Sequence, residues 1–427
     1  MVPLKIDEKG LPDFVQLDKN YTVIHEMIMK GKVLASHTVR SGGISEAVSK
    51  MCFGNMIGFR FEASIDARSL FEPLYGSVVL EMDENSNLDE LLKGVEYEVL
   101  GVTQEKKAID FKDVSLDIEE LCQKWQEPLE KVFPTNTELV SGAPKQYKYE
   151  KRNNIKPSVS VAKPRIFMPI FPGTNCEYDT AKAFEKAGGA VDMLVIKNLT
   201  SAEIDESIRE MAKRIDNSQI VMIPGGFSGG DEPDGSGKFI ATAFRNPRVK
   251  EAVMRLLKQR DGLMLGICNG FQALIKLGLV PYGEIRDLNE DSPTLTFNTI
   301  GRHVSCMVRT KITSTLSPWF NNVNVGDVHT IAVSHGEGRF VANKEVLEMM
   351  EKNGQIATQY VDPDNNATYD IRFNPNGSFE AIEGITSPDG RVLGKMGHSE
   401  RIGSNVAKNV PGNKDQKLFE AGVSYFK

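Results

Sequence analysis

Short apolar runs and helical patterns alternate along residues 165–278, and this alternation constrains the fold more than any other feature of the sequence. Apolar runs at residues 165–171 and 219–223 have the character of buried strands, and each is followed by a stretch with helical spacing. Strands that alternate with helices predict a parallel sheet with helices on both faces. The predicted fold class is therefore α/β, with ligands bound at the carboxyl ends of the strands.

One strand of this series ends in a cysteine. Residues 263–267 form an apolar run, Cys268 follows, and a helical pattern begins at once and stops at Gly278. A nucleophile at such a strand-to-helix turn is held out of the sheet, with its sulfur near a helix N-terminus that favours the thiolate. Cys268 is therefore the candidate nucleophile, although the turn taken alone is equally compatible with a structural cysteine.

A cysteine nucleophile needs a base and a third group that orients the base. An extended pattern at residues 392–401 delivers His398 and Glu400. Because residues two apart on an extended segment share a face, the carboxylate can hold the imidazole. The sequence predicts a triad of Cys268, His398 and Glu400. A rival base is His335, which also has a carboxylate two positions later, although the glycines of its block suggest a loop.

A glycine-rich loop, residues 224–231, follows the apolar run at residues 219–223. Small residues with free N–H groups next to a nucleophile can bind the oxyanion of a tetrahedral intermediate. We expect the N–H groups of Gly226, Phe227 and Asn269 to bind it. A turn that serves only the backbone geometry is the alternative for this loop.

Composition excludes several classes of function. The formal net charge is -7 and no basic stripe is visible, so a nucleic-acid surface is not expected. No apolar run is long enough to span a membrane, and the first residues lack the pattern of a signal peptide. The five cysteines are scattered, which fits a reducing compartment without a disulfide framework or a metal site. We expect a cytoplasmic protein.

The length of 427 residues predicts two or three domains. Residues 1–135 mix strand and helix patterns and predict an α+β domain. Residues 136–163, rich in Pro, Asn, Lys and Ser, predict an exposed linker, and residues 164–427 form the next domain. In the first domain, Gly42 and Gly43 precede a helix and could present N–H groups to a phosphate, with a simple turn as the alternative.

Residues 165–427 resemble a known family. The G-x-C-x-G-x-Q elbow and the late H-x-E are similar to those of class I glutamine amidotransferases. More narrowly, six blocks in order resemble the glutaminase part of the phosphoribosylformylglycinamidine synthase (formylglycinamide ribonucleotide amidotransferase) family. These blocks are residues 172–177, 224–228, 266–272, 335–339, 374–378 and 387–394.

The resemblance implies a flavodoxin-like class I glutaminase domain and an activity. Cys268 would attack the side-chain amide of glutamine to form a thioester, and His398, oriented by Glu400, would protonate the leaving ammonia and then activate water. Gln272, one turn into the elbow helix, would bind the amino-acid end of the substrate. This glutaminase step would need no cofactor.

Residues 1–135 resemble the C-terminal half of the aminoimidazole ribonucleotide synthetase fold, as found in the synthetase region of the same family. The resemblance implies that the chain is the C-terminal part of a larger synthase, whose ATP-binding half would precede Met1. That synthetase region would use ATP and Mg to amidate formylglycinamide ribonucleotide with the ammonia. Two positions depart from the family's pattern: residues 37–43 lack its acidic residue, and Ser399 stands where many relatives have Pro.

Three alternatives remain open from the sequence. A cysteine-elbow hydrolase or chaperone of the flavodoxin-like superfamily is disfavoured by the late H-x-E. A glutaminase of another synthase, such as those for guanylate or anthranilate, is disfavoured because their loop usually reads Gly-Gly-Pro where this chain has Gly225, Gly226 and Phe227. A non-catalytic, regulatory glutaminase-like module is disfavoured because all three triad positions are filled.

Overall fold

The computed structural model describes residues 1–131, 135, 142–157, 160–230 and 236–427. Contacts divide the chain into two compact units, Met1–Thr135 and Asn136–Lys427. Each unit has hydrophobic clusters of its own. Within the described residues, no helix combines the length and the apolar character that crossing a membrane requires.

The first unit is an α+β arrangement with two small sheets. Strands β1 and β3 form an antiparallel pair, and the second sheet has the order β4-β2-β5-β6. Helix α2 buries Ile44, Ala47, Val48 and Cys52, the spacing of one helical face, against these strands. The elements are α1 (Phe14–Met29), β1 (Val33–Thr38), α2 (Gly43–Asn55), β2 (Gly58–Phe61), β3 (Val78–Met82), α3 (Leu88–Leu91), β4 (Gly101–Gln104), β5 (Ala108–Phe111), β6 (Val114–Asp117) and α4 (Ile118–Glu130).

Groups of the chain itself contact the Gly42–Gly43 turn at the start of α2. The Gly42 N–H donates to the Glu46 carboxylate at 2.9 Å. Gly43 has a φ of 71°, and a Cβ there would lie 2.4 Å from the carbonyl oxygen of Leu70. Backbone conformation and close packing therefore account for the second glycine without a phosphate.

The second unit is built on a nine-stranded sheet of order β13-β12-β15-β16-β17-β10-β9-β7-β8. Its elements are β7 (Arg165–Ile170), α5 (Glu177–Lys186), β8 (Ala190–Val195), α6 (Ser201–Asp216), β9 (Ile220–Ile223), α7 (Lys238–Arg245), α8 (Pro247–Gln259), β10 (Leu263–Ile267), α9 (Asn269–Leu277), α10 (Leu279–Tyr282), β11 (Thr294–Phe297), β12 (Val304–Ile312), β13 (Val328–His335), β14 (Glu337–Val341), α11 (Lys344–Asn353), β15 (Ile356–Tyr360), β16 (Ile382–Thr386), β17 (Val392–Lys395) and α12 (Leu418–Ser424).

The predicted α/β fold is confirmed, with one difference in the sheet. Strands β17, β10, β9, β7 and β8 pair in parallel, as the alternation of strands and helices predicts. The remaining half of the sheet, from β17 to β13, pairs antiparallel. The sheet is therefore mixed rather than mainly parallel. Strands β9 and β10 are buried along their whole length, which explains their continuous apolar sequence.

Part of the predicted exposed linker lies along this sheet. Tyr149 donates its N–H to the Thr313 carbonyl at 2.8 Å and accepts the Thr315 N–H at 3.0 Å. Arg152 donates to the carbonyl of Phe320 at 2.9 Å. These contacts hold residues 142–157 of the predicted linker within the second unit, whereas its residues 136–141 and 158–159 lie outside the described part of the chain.

The parallel strands bring the predicted site residues to one edge. The glycine loop follows β9, Cys268 follows β10, and His398 lies three residues after β17. Because parallel neighbours end at the same edge of a sheet, residues from three distant parts of the sequence meet there.

Candidate active site

Cys268 lies at a sharp turn between β10 and α9. Its backbone has φ 53° and ψ -107°, a conformation that is unfavourable for a residue with a side chain. The glycines around it make the turn possible: a Cβ at Gly270 would lie 2.0 Å from the Ile223 carbonyl oxygen, and one at Gly266 would lie 2.6 Å from the Gly270 carbonyl oxygen. The G-x-C-x-G pattern is therefore a steric requirement of this elbow.

His398 and Glu400 form a buried pair next to the cysteine. His398 Nδ1 lies 2.6 Å from Glu400 Oε1, and both residues are almost completely buried. A Cβ built on Gly225 would lie 2.8 Å from His398 Cε1 and 3.4 Å from Cys268 Cβ. The imidazole and the cysteine therefore approach the same glycine, and the structure brings the three predicted triad residues together.

The charges of this pair stabilise each other. Burial lowers the pKa of His398, but the charge of Glu400 and hydrogen bonds with Cys176, Cys268 and Glu400 outweigh it and raise this pKa well above its ordinary value. Burial raises the pKa of Glu400, and the charge and hydrogen bond of His398 bring it below its ordinary value. The two directions agree on an ion pair, so His398 can hold a proton for a leaving group.

This ion pair predicts a pH dependence of stability. A histidine with a raised folded-state pKa adds stability below its unfolded pKa of about 6.5 and loses it as the pH rises through the folded value. The lowered pKa of Glu400 adds stability that is constant above about pH 4.3. Glu400→Gln removes the charge that most strongly opposes the effect of burial, so the pKa of His398 should fall. The loss of unfolding free energy on this substitution should therefore be larger at about pH 6 than at about pH 9.

Urea denaturation of both proteins measures this difference. Both proteins carry Cys268→Ala, so that the neighbouring thiol does not contribute to the difference. If the difference in unfolding free energy between the two proteins stays constant or increases from about pH 6 to about pH 9, the result would contradict a charged His398–Glu400 pair.

Two of the three predicted oxyanion donors have free N–H groups. Gly226 N–H has no acceptor among the described residues, and Asn269 N–H is at the first position of α9, where a helix leaves it unpaired. In contrast, Phe227 N–H donates to the Gly173 carbonyl at 2.8 Å. The Phe227 amide is therefore already bonded in this conformation, and Gly226 and Asn269 remain the predicted oxyanion donors.

Comparison with known proteins identifies the family to which the sequence belongs. The model of the CobB/CobQ-like glutamine amidotransferase domain matches residues 163–426. The chain belongs to this family. The prediction that it is a glutamine amidotransferase is thereby confirmed.

Relatives of this amidotransferase include proteins named phosphoribosylformylglycinamidine synthase subunit PurQ. The protein from Methanococcus maripaludis is 34% identical over 239 residues, which are 56% of this chain and 82% of the relative. The protein from Gloeobacter violaceus is 34% identical over 258 residues, 60% of this chain and 95% of the relative. Among solved structures, a chain of PurLQS from Thermotoga maritima matches with a TM-score of 0.45 and 25% identity, over 62% of this chain and all of that one.

Gln272 is held by protein groups on both sides. Its Oε1 accepts a hydrogen bond from Asn269 Nδ2 at 2.9 Å, and its Nε2 donates to the Glu337 carbonyl at 2.6 Å. Asn269 Oδ1 in turn accepts the N–H of Ser228 at 3.3 Å. Gln272 thus joins the elbow helix of the amidotransferase to the start of β14, while its contact with the substrate stays a prediction.

His335, the rival base, lies at the end of β13 in a different electrostatic environment. Burial, followed by the nearby charges of His398 and His303, lowers the pKa of His335 to about 3. Its Nδ1 lies 3.3 Å from Asn298 Oδ1. Glu337, the carboxylate two positions later, accepts the Ser236 N–H at 2.9 Å. A pKa this low makes His335 a weak base and leaves it without a proton to give to a leaving group at neutral pH.

Cys176 is a site residue that the sequence did not single out. Its Sγ lies 3.8 Å from His398 Nδ1, and Arg401 Nη2 donates to the same sulfur at 3.4 Å. Donor atoms of Cys176, His398 and Glu400 lie within 4.8 Å of one another, a set that a thiophilic metal ion prefers. The Arg401 guanidinium opposes a further cation there. The sequence could have indicated Cys176, because this residue follows β7 and therefore lies at the same edge of the sheet.

Proposed function

We propose that this chain is the glutaminase component of phosphoribosylformylglycinamidine synthase in purine biosynthesis. It hydrolyses glutamine and supplies ammonia for the ATP-dependent amidation of formylglycinamide ribonucleotide. The observation that carries the proposal is the buried Cys268–His398–Glu400 arrangement on a domain whose relatives are PurQ subunits. The cytoplasm is the proposed location.

The triad geometry supports a two-stage reaction. Cys268 Sγ attacks the amide carbon of glutamine, and the N–H groups of Gly226 and Asn269 bind the resulting oxyanion. The imidazolium of His398 gives its proton to the amide nitrogen, and the carbon–nitrogen bond breaks. Ammonia departs, and a glutamyl thioester on Cys268 remains. Neutral His398 then takes a proton from water, whose oxygen attacks the thioester. Glutamate leaves, and the cysteine and histidine return to their first state.

Glu400 and the buried surroundings support these steps without touching the substrate. The carboxylate holds Nδ1 of His398, so the other ring nitrogen is directed to the reacting atoms. No cofactor takes part in this glutaminase stage. The net reaction converts glutamine and water into glutamate and ammonia.

We further propose that residues 1–135 belong to the synthetase region and residues 136–163 connect it to the amidotransferase domain at 164–427. Residues 1–162 lie outside the family model's match, and the relatives match 56–60% of this chain. ATP and Mg act in the complete synthase. The Gly42–Gly43 turn does not fit a phosphate of that cofactor because the Glu46 carboxylate occupies it.

A reconstitution assay tests the proposed function. The chain is incubated with glutamine, then with a synthetase component of the PurL type, ATP, Mg and formylglycinamide ribonucleotide. We expect glutamate release from the chain and a rise of about tenfold when the acceptor site is filled, within the usual range of coupling between sites. Ammonium chloride in place of glutamine is the control, because it supplies ammonia without the triad. Glutamine that stays intact under all these conditions would contradict the proposal, and release coupled only to another acceptor would point to a different synthase.

A further inference from the structure

A buried ion pair lies directly behind the catalytic histidine. Lys395 Nζ and Glu383 Oε1 are 3.2 Å apart, and both side chains are completely buried. Such pairs add little net stability because burial removes both charges from water. Stability alone therefore does not explain why this pair is present. We propose that Lys395 and Glu383 are positioning residues that fix His398 relative to Cys268. The inference deepens the proposed function, on which the role of His398 rests.

The ion pair holds the backbone of Gly397 from both sides. Gly397 donates its N–H to Glu383 Oε1 at 2.5 Å, and Lys395 Nζ donates to the Gly397 carbonyl at 2.7 Å. That carbonyl belongs to the peptide unit that leads into His398. Both hydrogen bonds involve an ionised partner, which makes them shorter and stronger than neutral ones.

Lys395 also reaches the nucleophile. Its carbonyl accepts the N–H of Cys268 at 2.9 Å, in register with the parallel pairing of β10 and β17. One residue thus fixes the backbone of the nucleophile through its carbonyl and the approach to the histidine through its ammonium group. A shift of Lys395 would change the distance between the two reacting side chains.

The remaining contacts leave the segment little freedom. Glu383 Oε2 accepts a hydrogen bond from Thr358 Oγ1, and the His398 N–H donates to the Ala332 carbonyl at 2.8 Å. A Cβ on Gly397 would lie 2.1 Å from Ile331 Cδ1. Together with these contacts, the charged pair therefore holds the backbone that carries the imidazole of His398.

The test compares the parent with Lys395→Met and with the double variant Lys395→Met/Glu383→Gln, which removes both charges and leaves no unpaired one. Each protein is alkylated with iodoacetamide across the pH range, and mass spectrometry follows the peptide that contains Cys268. We expect the alkylation of Cys268 at about pH 6.5 to become about tenfold slower, because the imidazole is no longer held next to the sulfur. In glutamine hydrolysis, kcat should fall about 100-fold with little change in KM, since the contacts with the substrate remain.

A matched control separates positioning from general destabilisation. Arg391 is a buried cation just before β17, paired with Asp261 at 3.2 Å and Asp389 at 2.7 Å, away from Gly397. Arg391→Met should lower the thermal stability and leave the alkylation profile in place. Parent-like profiles and kcat in the Lys395 variants, or the same shift in Arg391→Met, would overturn the inference. If the single variant does not fold, the double variant carries the test.

The two proposals fail in different ways. A parent chain that does not hydrolyse glutamine even with its synthetase partner would remove the proposed function. The alkylation profile would still report whether Lys395 and Glu383 position His398 next to Cys268.

Discussion

Replacing Cys268 with alanine is expected to abolish glutamine hydrolysis, with kcat lower by about 10⁴-fold or more, as for other enzymes that lose their nucleophile. The sulfur is the atom that forms the thioester, and alanine leaves only the oxyanion donors and the binding site. Glutamate release measures the loss. A glutamine analogue with an electrophilic diazoketone should label the parent on the Cys268 peptide and leave the variant unmodified.

Cys176 supplies the control for this experiment. Its sulfur lies 3.8 Å from His398 Nδ1, so it is the other thiol that could be activated by the histidine. It lacks the elbow, however, and its sulfur lies on the side of the ring that Glu400 binds. Cys176→Ala should therefore keep kcat within about tenfold of the parent. Loss of activity and labelling in Cys176→Ala, with both retained in Cys268→Ala, would reverse the assignment of the nucleophile.

The central part of the fold and the proximity of Cys268, His398 and Glu400 could be predicted because their signals are local. The apolar run before Cys268 and the helical pattern after it define the elbow within one continuous stretch. His398 and Glu400 are two residues apart, so their pairing follows from extended geometry. Parallel pairing then brings both stretches to one edge.

Features that depend on distant partners could not be predicted in this way. The N–H of Phe227 is taken by Gly173, and Gln272 is held by the backbone of Glu337, 65 residues later. Asn298, directly after β11, donates its N–H to the Gly336 carbonyl, which lies in a distant part of the sequence. Each outcome was decided by a tertiary contact rather than by local preference.

Buried charge is the other feature that the sequence conceals. Lys395 follows three residues of a strand and would ordinarily be expected at the surface. Its burial depends on Glu383, twelve positions earlier on the neighbouring antiparallel strand. The antiparallel half of the sheet therefore does more than extend the fold, because it carries the carboxylate that holds the backbone before His398.

Gly225→Ala is expected to lower kcat by about 100-fold through a small displacement of the triad. The added Cβ would lie 2.8 Å from His398 Cε1 and 3.2 Å from Cys176 Sγ, so the imidazole must move. The φ of Gly225 lies outside the left-handed region, so alanine introduces no backbone strain of its own. Steady-state hydrolysis of glutamine measures the effect, and Gly54→Ala, where a Cβ meets no atom within 4 Å, is the control.

A double-variant cycle tests whether this loss passes through the histidine. If the methyl group acts by displacing His398, Gly225→Ala should cost little further activity once His398 is already replaced by alanine, because the two changes share one mechanism. Equal losses in the presence and absence of the imidazole would show that the methyl group acts elsewhere, for example by blocking glutamine. Such a result would contradict the inference that the methyl group at Gly225 acts by displacing His398.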